Sequence, residues 1–238
     1  FKVGAISPMN TANKLKNPTY FIPDPWTNTK PDKSGFSKRI SLMLKQSVNE
    51  NASKRLSINS IITIFEIIFR TFNYIRTPFL IRLIFSLINK PWKKSLVLDY
   101  LIHNLHLYFL KKKIVNFSSI FLNAGAHIQH HYLFNSSQYI NKNINNPEWY
   151  IERKYDPVLE MIIFYDQILS DYKKLNDYDI VLATGLSQVP YDRIKYYYRF
   201  KDHSNFLKYL NINFDKVEPR MTRDFLVSFK NNEEKTQA

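Results

Sequence analysis

A chain of 238 residues with 45% hydrophobic and 16% aromatic side chains carries enough apolar surface to bury one sizeable core, which excludes a disordered polypeptide. Lys and Arg number 34 against 20 Asp and Glu, a formal net charge of +14 that favours anionic partners; the cations are scattered, and the densest run, Lys111-Lys112-Lys113, suits a solvated helix end better than a nucleic-acid stripe. The absence of cysteine excludes disulfides, thiolate metal sites and a cysteine nucleophile.

In chain order, residues 1–35 read as an extended loop, because Pro8, Pro18, Pro23, Pro25 and Pro31 interrupt any long element, while Tyr20, Phe21 and Trp26 suggest that the loop packs on something. No basic stretch followed by an apolar run and a small-residue cleavage site is visible at the start, so no signal peptide is expected within this sequence. Helical spacing of apolar residues then runs from Ser37 to about Gln46 and from Ser57 to Leu110, with breaks near Pro78 and Pro91. Residues 36–115 are accordingly expected to form a helical insertion or cap within one partial α/β domain spanning 1–238. The most apolar stretch, Ile58 to Ile88, is interrupted by Glu66, Arg70, Arg76, Pro78 and Arg82 before a membrane span accumulates. Amphipathic or buried helices are expected there, and contact with a membrane surface is a second reading, with the arginines at lipid head groups and Phe and Ile below them.

Phe117 to Leu122 is short, β-rich and followed by Asn123-Ala124-Gly125-Ala126, the pattern of a buried strand ending in a loop. Val158 to Leu175 has a helical period, with Asp166 inside it. Asp179-Ile180-Val181-Leu182-Ala183 reads as a second buried strand running into Thr184-Gly185. The fold class expected is α/β, a mostly parallel sheet flanked by helices. Ligands of open α/β sheets bind at the carboxyl ends of strands, so both loops are expected at one site. Asn231 to Ala238 reads as solvated.

The strongest local signal is Asn123-Ala-Gly-Ala-His127-Ile-Gln129-His130-His131, which gathers three of the six histidines. On a helix His127 and His131 fall at i and i+4, where two imidazoles can share a metal ion, and Asn123 can add an amide oxygen. The same residues would equally serve as capping or stacking groups of a polar helix. Thr184, Ser187 and Gln188 could hold an anionic oxygen after the second strand, although a glycine with two hydroxyls is also ordinary turn chemistry. Arg220 and Arg223, beside Asp224, could grip phosphate or sulfate bidentately or form a surface ion-pair network. His103 and His106 lie in an apolar helical stretch and read as packed or capping groups; nothing local demands a site role for His203. No Gly-x-Ser-x-Gly elbow, P-loop or dinucleotide fingerprint occurs.

The order of these motifs resembles the alkaline phosphatase superfamily, most closely its nucleotide pyrophosphatase/phosphodiesterase branch. There a strand ends in Asp, three residues and His, a later strand ends in Asp-His-Gly, and a helix bearing an Asp lies between. Here Phe117 to Leu122 with Asn123 and His127 matches the first pattern in spacing, Tyr165-Asp166 the helix, and Ile180 to Ala183 with Thr184-Gly185 the position of the second; Gly4 to Asn10 is a vaguer match. Asn123 stands where the family has Asp, and Thr184-Gly185 where it has Asp-His. The resemblance implies an alkaline phosphatase-like fold and a phosphate- or sulfate-ester hydrolase or group-transfer enzyme. It further implies a divalent metal, zinc first, at Asn123, His127 and His131. His127, His130 and His131 would be the catalytic groups, with Asn123, Gln129, Thr184, Ser187, Gln188, Arg220 and Arg223 on the substrate. It places the nucleophile and a first metal Asp upstream of Phe1 and a further histidine beyond Ala238. The partner expected is an anionic small molecule, glycan or lipid rather than nucleic acid. A homologue that binds such an anion without turning it over is the alternative, supported by the departures at Asn123 and Thr184-Gly185.

Overall fold

The computed structural model describes residues 1–48, 56–139, 144–184, 189–193, 195–196, 198–219 and 224–237. Three parallel strands form its main sheet: β1 (Val3–Ile6) lies between β2 (Tyr20–Ile22) and β3 (Phe117–Ile120), with Gly4 opposite both Tyr20 and Ser118. The chain is therefore mixed α/β with a small parallel sheet. Two of these strands fall in the segment expected to be a loop. Val-Gly-Ala-Ile and Tyr-Phe-Ile are too short to show a period, and the flanking prolines end the strands rather than prevent them.

Between β2 and β3 come α1 (Gly35–Val48), α2 (Ile58–Arg70), α3 (Thr77–Ser86) and α4 (Lys93–Lys112). The Ser57 hydroxyl caps α2 by accepting from the Ser60 amide, and Pro78 sits in the first turn of α3, where its missing N–H costs nothing. α4 is buried along most of its length. Leu101, Leu105 and Phe109 join Ile6, Tyr20, Ile22, Ile40 and Met43 in one apolar cluster. Leu96 and Tyr100 join Ile128, Met161 and Phe164 in a second, which also contains Leu80 and Leu83 of α3. After β3 follow α5 (Ala124–Tyr132) and α6 (Pro157–Tyr172), the latter capped by Asp156, whose carboxylate accepts from the Leu159 amide. α7 (His203–Tyr209), an antiparallel pair β4 (Lys216–Pro219) and β5 (Phe225–Ser228), and α8 (Asn232–Gln237) complete the described chain.

One expected strand does not form. Residues 179–183 are neither helix nor strand, and Val181 is 88% exposed. An apolar, β-branched run becomes a buried strand only where a ladder partner and cover on its faces are available, and the described residues supply neither to this one. The apolar run from Ile58 is amphipathic in the sense expected: α2 buries Thr63 and Ile67 and α3 buries Leu80 and Leu83, while their outer faces expose Ile and Phe. Among the described residues no helix is long and apolar enough to cross a membrane.

Candidate active site at the carboxyl ends of the parallel strands

The three strand ends are locked side by side. The Ser7 amide donates to the Ile22 carbonyl at 2.7 Å and the Phe121 amide to the Ile6 carbonyl at 3.1 Å, so the loops after all three strands open on the same edge of the sheet. After β1 the backbone turns through left-handed conformations at Ser7 (φ 54°) and Asn10 (φ 52°), which side chains other than glycine seldom adopt. Asp24, buried two residues past β2, holds that loop: its carboxylate accepts from the amides of Asn10, Trp26 (3.0 Å) and Thr27 (2.6 Å).

α5 is set by a residue from another helix. Asp99 of α4, 2% exposed, accepts from the amides of Asn123 (3.2 Å) and Ala124 (2.9 Å) and from the Tyr165 hydroxyl (2.8 Å); that hydroxyl accepts from the Gly125 amide at 2.7 Å. A helix start leaves its first amides without partners, and here three consecutive ones are met by side chains of α4 and α6. Burial raises the Asp99 carboxyl to about 6, against the opposing pull of the Ala124 amide, the Tyr165 hydroxyl and the Asn123 amide. Gly125 is in close approach to Tyr165: a Cβ there would lie 3.0 Å from the ring, which would have to give by a few tenths of an ångström.

With α5 so anchored, His127 and His131 stand one turn apart on an exposed face, their ring centroids 4.7 Å from each other. His131 Nδ1 meets the Tyr150 hydroxyl at 2.7 Å, so Nε2 is the ring nitrogen not engaged by that bond. Loss of water around the ring, then the neighbouring His131 and His130 imidazoles, bring His127 down to about 4, and His131 is lowered by the same dehydration and by His130. Both are neutral at physiological pH, the form that binds metal. Asn123 precedes the first turn, half-buried, and its side chain makes no cap bond to α5.

Several expected members do not join this cluster. Gln129 is two residues past His127, a rotation of about 200° on a helix, and so belongs to the other side of α5. Thr184 is exposed and outside any strand, with no hydrogen bond to α5 among the described residues, because the strand that would have carried it is absent. Gly185, Leu186, Ser187, Gln188, Arg220 and Arg223 lie outside the described residues. Asp166 is exposed on α6, whereas its neighbour Tyr165 carries the inward contact.

Reasoning from sequence missed Asp99, Tyr165 and Tyr150. A signal existed for the first, an acid inside the apolar run Leu96 to Leu101, where a carboxylate needs donors. Also missed was a buried polar chain: Tyr20 hydroxyl to Ser118 Oγ (2.5 Å), Ser118 Oγ to His106 Nε2 (2.6 Å) and His106 Nδ1 to the Tyr172 hydroxyl (2.7 Å). His103 and His106 are packed in the core as expected, and His203 is likewise buried.

As a metal site the cluster is a partial set. The two imidazoles fit one ion at helical spacing, while no group of three or more His, Cys, Asp or Glu converges among the described residues. The buried carboxylates of Asp24, beyond β2, and Asp99, on α4, are engaged by backbone amides. An open cleft of about 440 Å³ lies farther along, lined in part by Ser136, Asn146, Arg153 and Lys154; Asn146 also donates to the His131 carbonyl at 3.1 Å. No family model matches this chain, and neither a curated protein nor a solved structure matches it.

Proposed function

We propose that this chain is part of a hydrolase or group-transfer enzyme for phosphate or sulfate esters, with the ester held at the carboxyl ends of β1, β2 and β3. The observation that carries this reading is the His127–His131 pair, two exposed neutral imidazoles 4.7 Å apart on a helix that starts directly beyond a parallel strand. A divalent ion held there would supply Lewis-acid stabilisation to an ester oxygen. His127 and His131 are its ligands; Tyr150 fixes the His131 ring through Nδ1, as outer-shell partners of metal-bound imidazoles do. Asn123, at the head of α5, would donate its amide to the bound anion, and His130, one turn beyond His127 on the same helix, would be the acid–base group. Support beyond the geometry is the spacing of Asn123 and His127 after β3, which resembles the first motif of the alkaline phosphatase superfamily, although the strand that would carry the second does not form.

The second reading, an anion-binding homologue without turnover, is favoured by one observation: Asp24 and Asp99 spend their carboxylates on backbone amides, so neutral donors dominate the strand ends. Calorimetric titration of inorganic phosphate and sulfate into metal-free and zinc-loaded protein separates the two. Anion binding that requires zinc and disappears in His127→Ala supports the enzyme site; equal binding with and without metal supports the binder; none in either state removes both.

A further inference from the structure

The outer side of the helical segment has a character that the proposed ester site does not use. On α2, Ile58, Ile62, Phe65 and Phe69 recur at helical spacing with exposures of 68%, 56%, 67% and 84%. Phe72, 61% exposed, continues the stripe through the turn, and on α3 Ile81, Ile84 and Phe85 form a second one, with Ile88 in the turn just past the helix; Phe85 and Ile88 are 70% and 80% exposed. Isolated exposed apolar residues are ordinary, but contiguous stripes on consecutive helices mark an interaction surface. The inner faces of the same helices are already spent on the core through Ile67, Leu80 and Leu83.

We propose that this face, the outer sides of α2 and α3 with the Phe72 turn between them, docks on the surface of an anionic lipid bilayer. Charge selects this occupant. Within the described parts of α1 to α3 the one acid is Glu66, and Arg39 (2.7 Å) and Arg70 (2.9 Å) both close on it. Arg70 and Arg76, two of the three arginines expected at head groups, are thus committed, the latter to Asp171. The remaining exposed cations, Lys38 and Lys45 on α1 and Arg82 on α3, form no ion pair among the described residues, so this helical segment carries uncompensated positive charge. A second copy of this chain on the same face would bring together two helical segments that each carry a net positive charge. Lipid head groups supply the missing negative charge, and acyl chains accept Phe and Ile without needing a matching groove. A bilayer-surface helix pair needs no membrane-spanning helix, and among the described residues no helix is long and apolar enough to cross a membrane.

The test is flotation of the chain with vesicles of phosphatidylcholine containing phosphatidylserine, beside vesicles of phosphatidylcholine alone. The chain is expected to float with the anionic vesicles, to do so less with neutral ones or in high salt, and to lose about ten-fold in bound fraction in Phe69→Glu/Phe85→Glu. Both side chains are exposed, so the fold should survive; circular dichroism and a Phe69→Ser/Phe85→Ser variant check this and should show the same loss. Failure of the parent chain to float with anionic vesicles overturns the proposal, as does undiminished flotation of the folded double variants. A parent chain that fails to float and self-associates through this face, becoming monomeric in the double variant, overturns it in favour of a protein interface. None of these readouts depends on His127 or His131.

Discussion

Gly4 sits at the centre of the parallel sheet because the Tyr20 ring lies across it. A Cβ on Gly4 would fall 2.2 Å from Tyr20 Cζ, and that ring cannot swing aside without giving up the Ser118 bond and its stack on Phe109. Gly4→Ala is expected to cost about 1–3 kcal/mol from overpacking, read as a lower urea midpoint; an unchanged midpoint would mean the ring is not held there. The buried titratable groups set the pH response. Burial holds His103 down to about 4 and His106 to about 3, the latter also pressed down by His103, against an ordinary 6.5. The unfolded chain therefore binds more protons in this window, and these sites withdraw stability as pH falls from about 6.5 towards 4. Asp99 acts in the opposite sense: raised to about 6, its contribution is present at low pH and is lost as pH rises through that value. His127 and His131, also lowered, act in the same sense as His103 and His106, so the histidines outweigh one carboxyl and the urea midpoint should fall between pH 7 and pH 5, and fall more steeply in Asp99→Asn. A midpoint that holds or rises on acidification contradicts this balance.

At the scale of elements, α5 is positioned from outside itself, through Asp99 on α4 and Tyr165 on α6. Tyr165→Phe keeps the ring volume but leaves the Gly125 amide without its partner and takes one of two donors from Asp99 Oδ2, which keeps the Ala124 amide. A loss of about 1–3 kcal/mol is expected, with a ring contact between His127 and His131 that loosens, visible as shifted imidazole resonances. Unchanged stability together with unchanged resonances would show that α5 does not depend on this bond. The helices were the legible elements, since α2, α3, α4 and α6 announce themselves by apolar period and by Pro78 and Pro91. Strands β1 and β2 were not, because runs of three or four buried residues show no alternation. The error at 179–183 was the converse: a run with strong β composition remained exposed, since composition does not provide a ladder partner.

Across the whole molecule, the His127–His131 pair was readable from sequence because both lie one turn apart on one short helix after one strand. Asp99, Tyr165 and Tyr150 were not readable, since their roles arise from α4, α6 and a distant loop meeting α5 in space. The sheet aligns the loops after β1, β2 and β3 on one edge, and the helices that bury its core also fix the orientation of the imidazole pair. That pair is where the proposed chemistry resides. Zinc titration followed by calorimetry, on the parent chain and on His127→Ala, His131→Ala and Tyr150→Phe, tests it most directly. One zinc ion per chain is expected, lost in either histidine variant and weakened about ten-fold or more in Tyr150→Phe. No stoichiometric zinc in the parent chain, or binding that survives the loss of both imidazoles, would contradict the account.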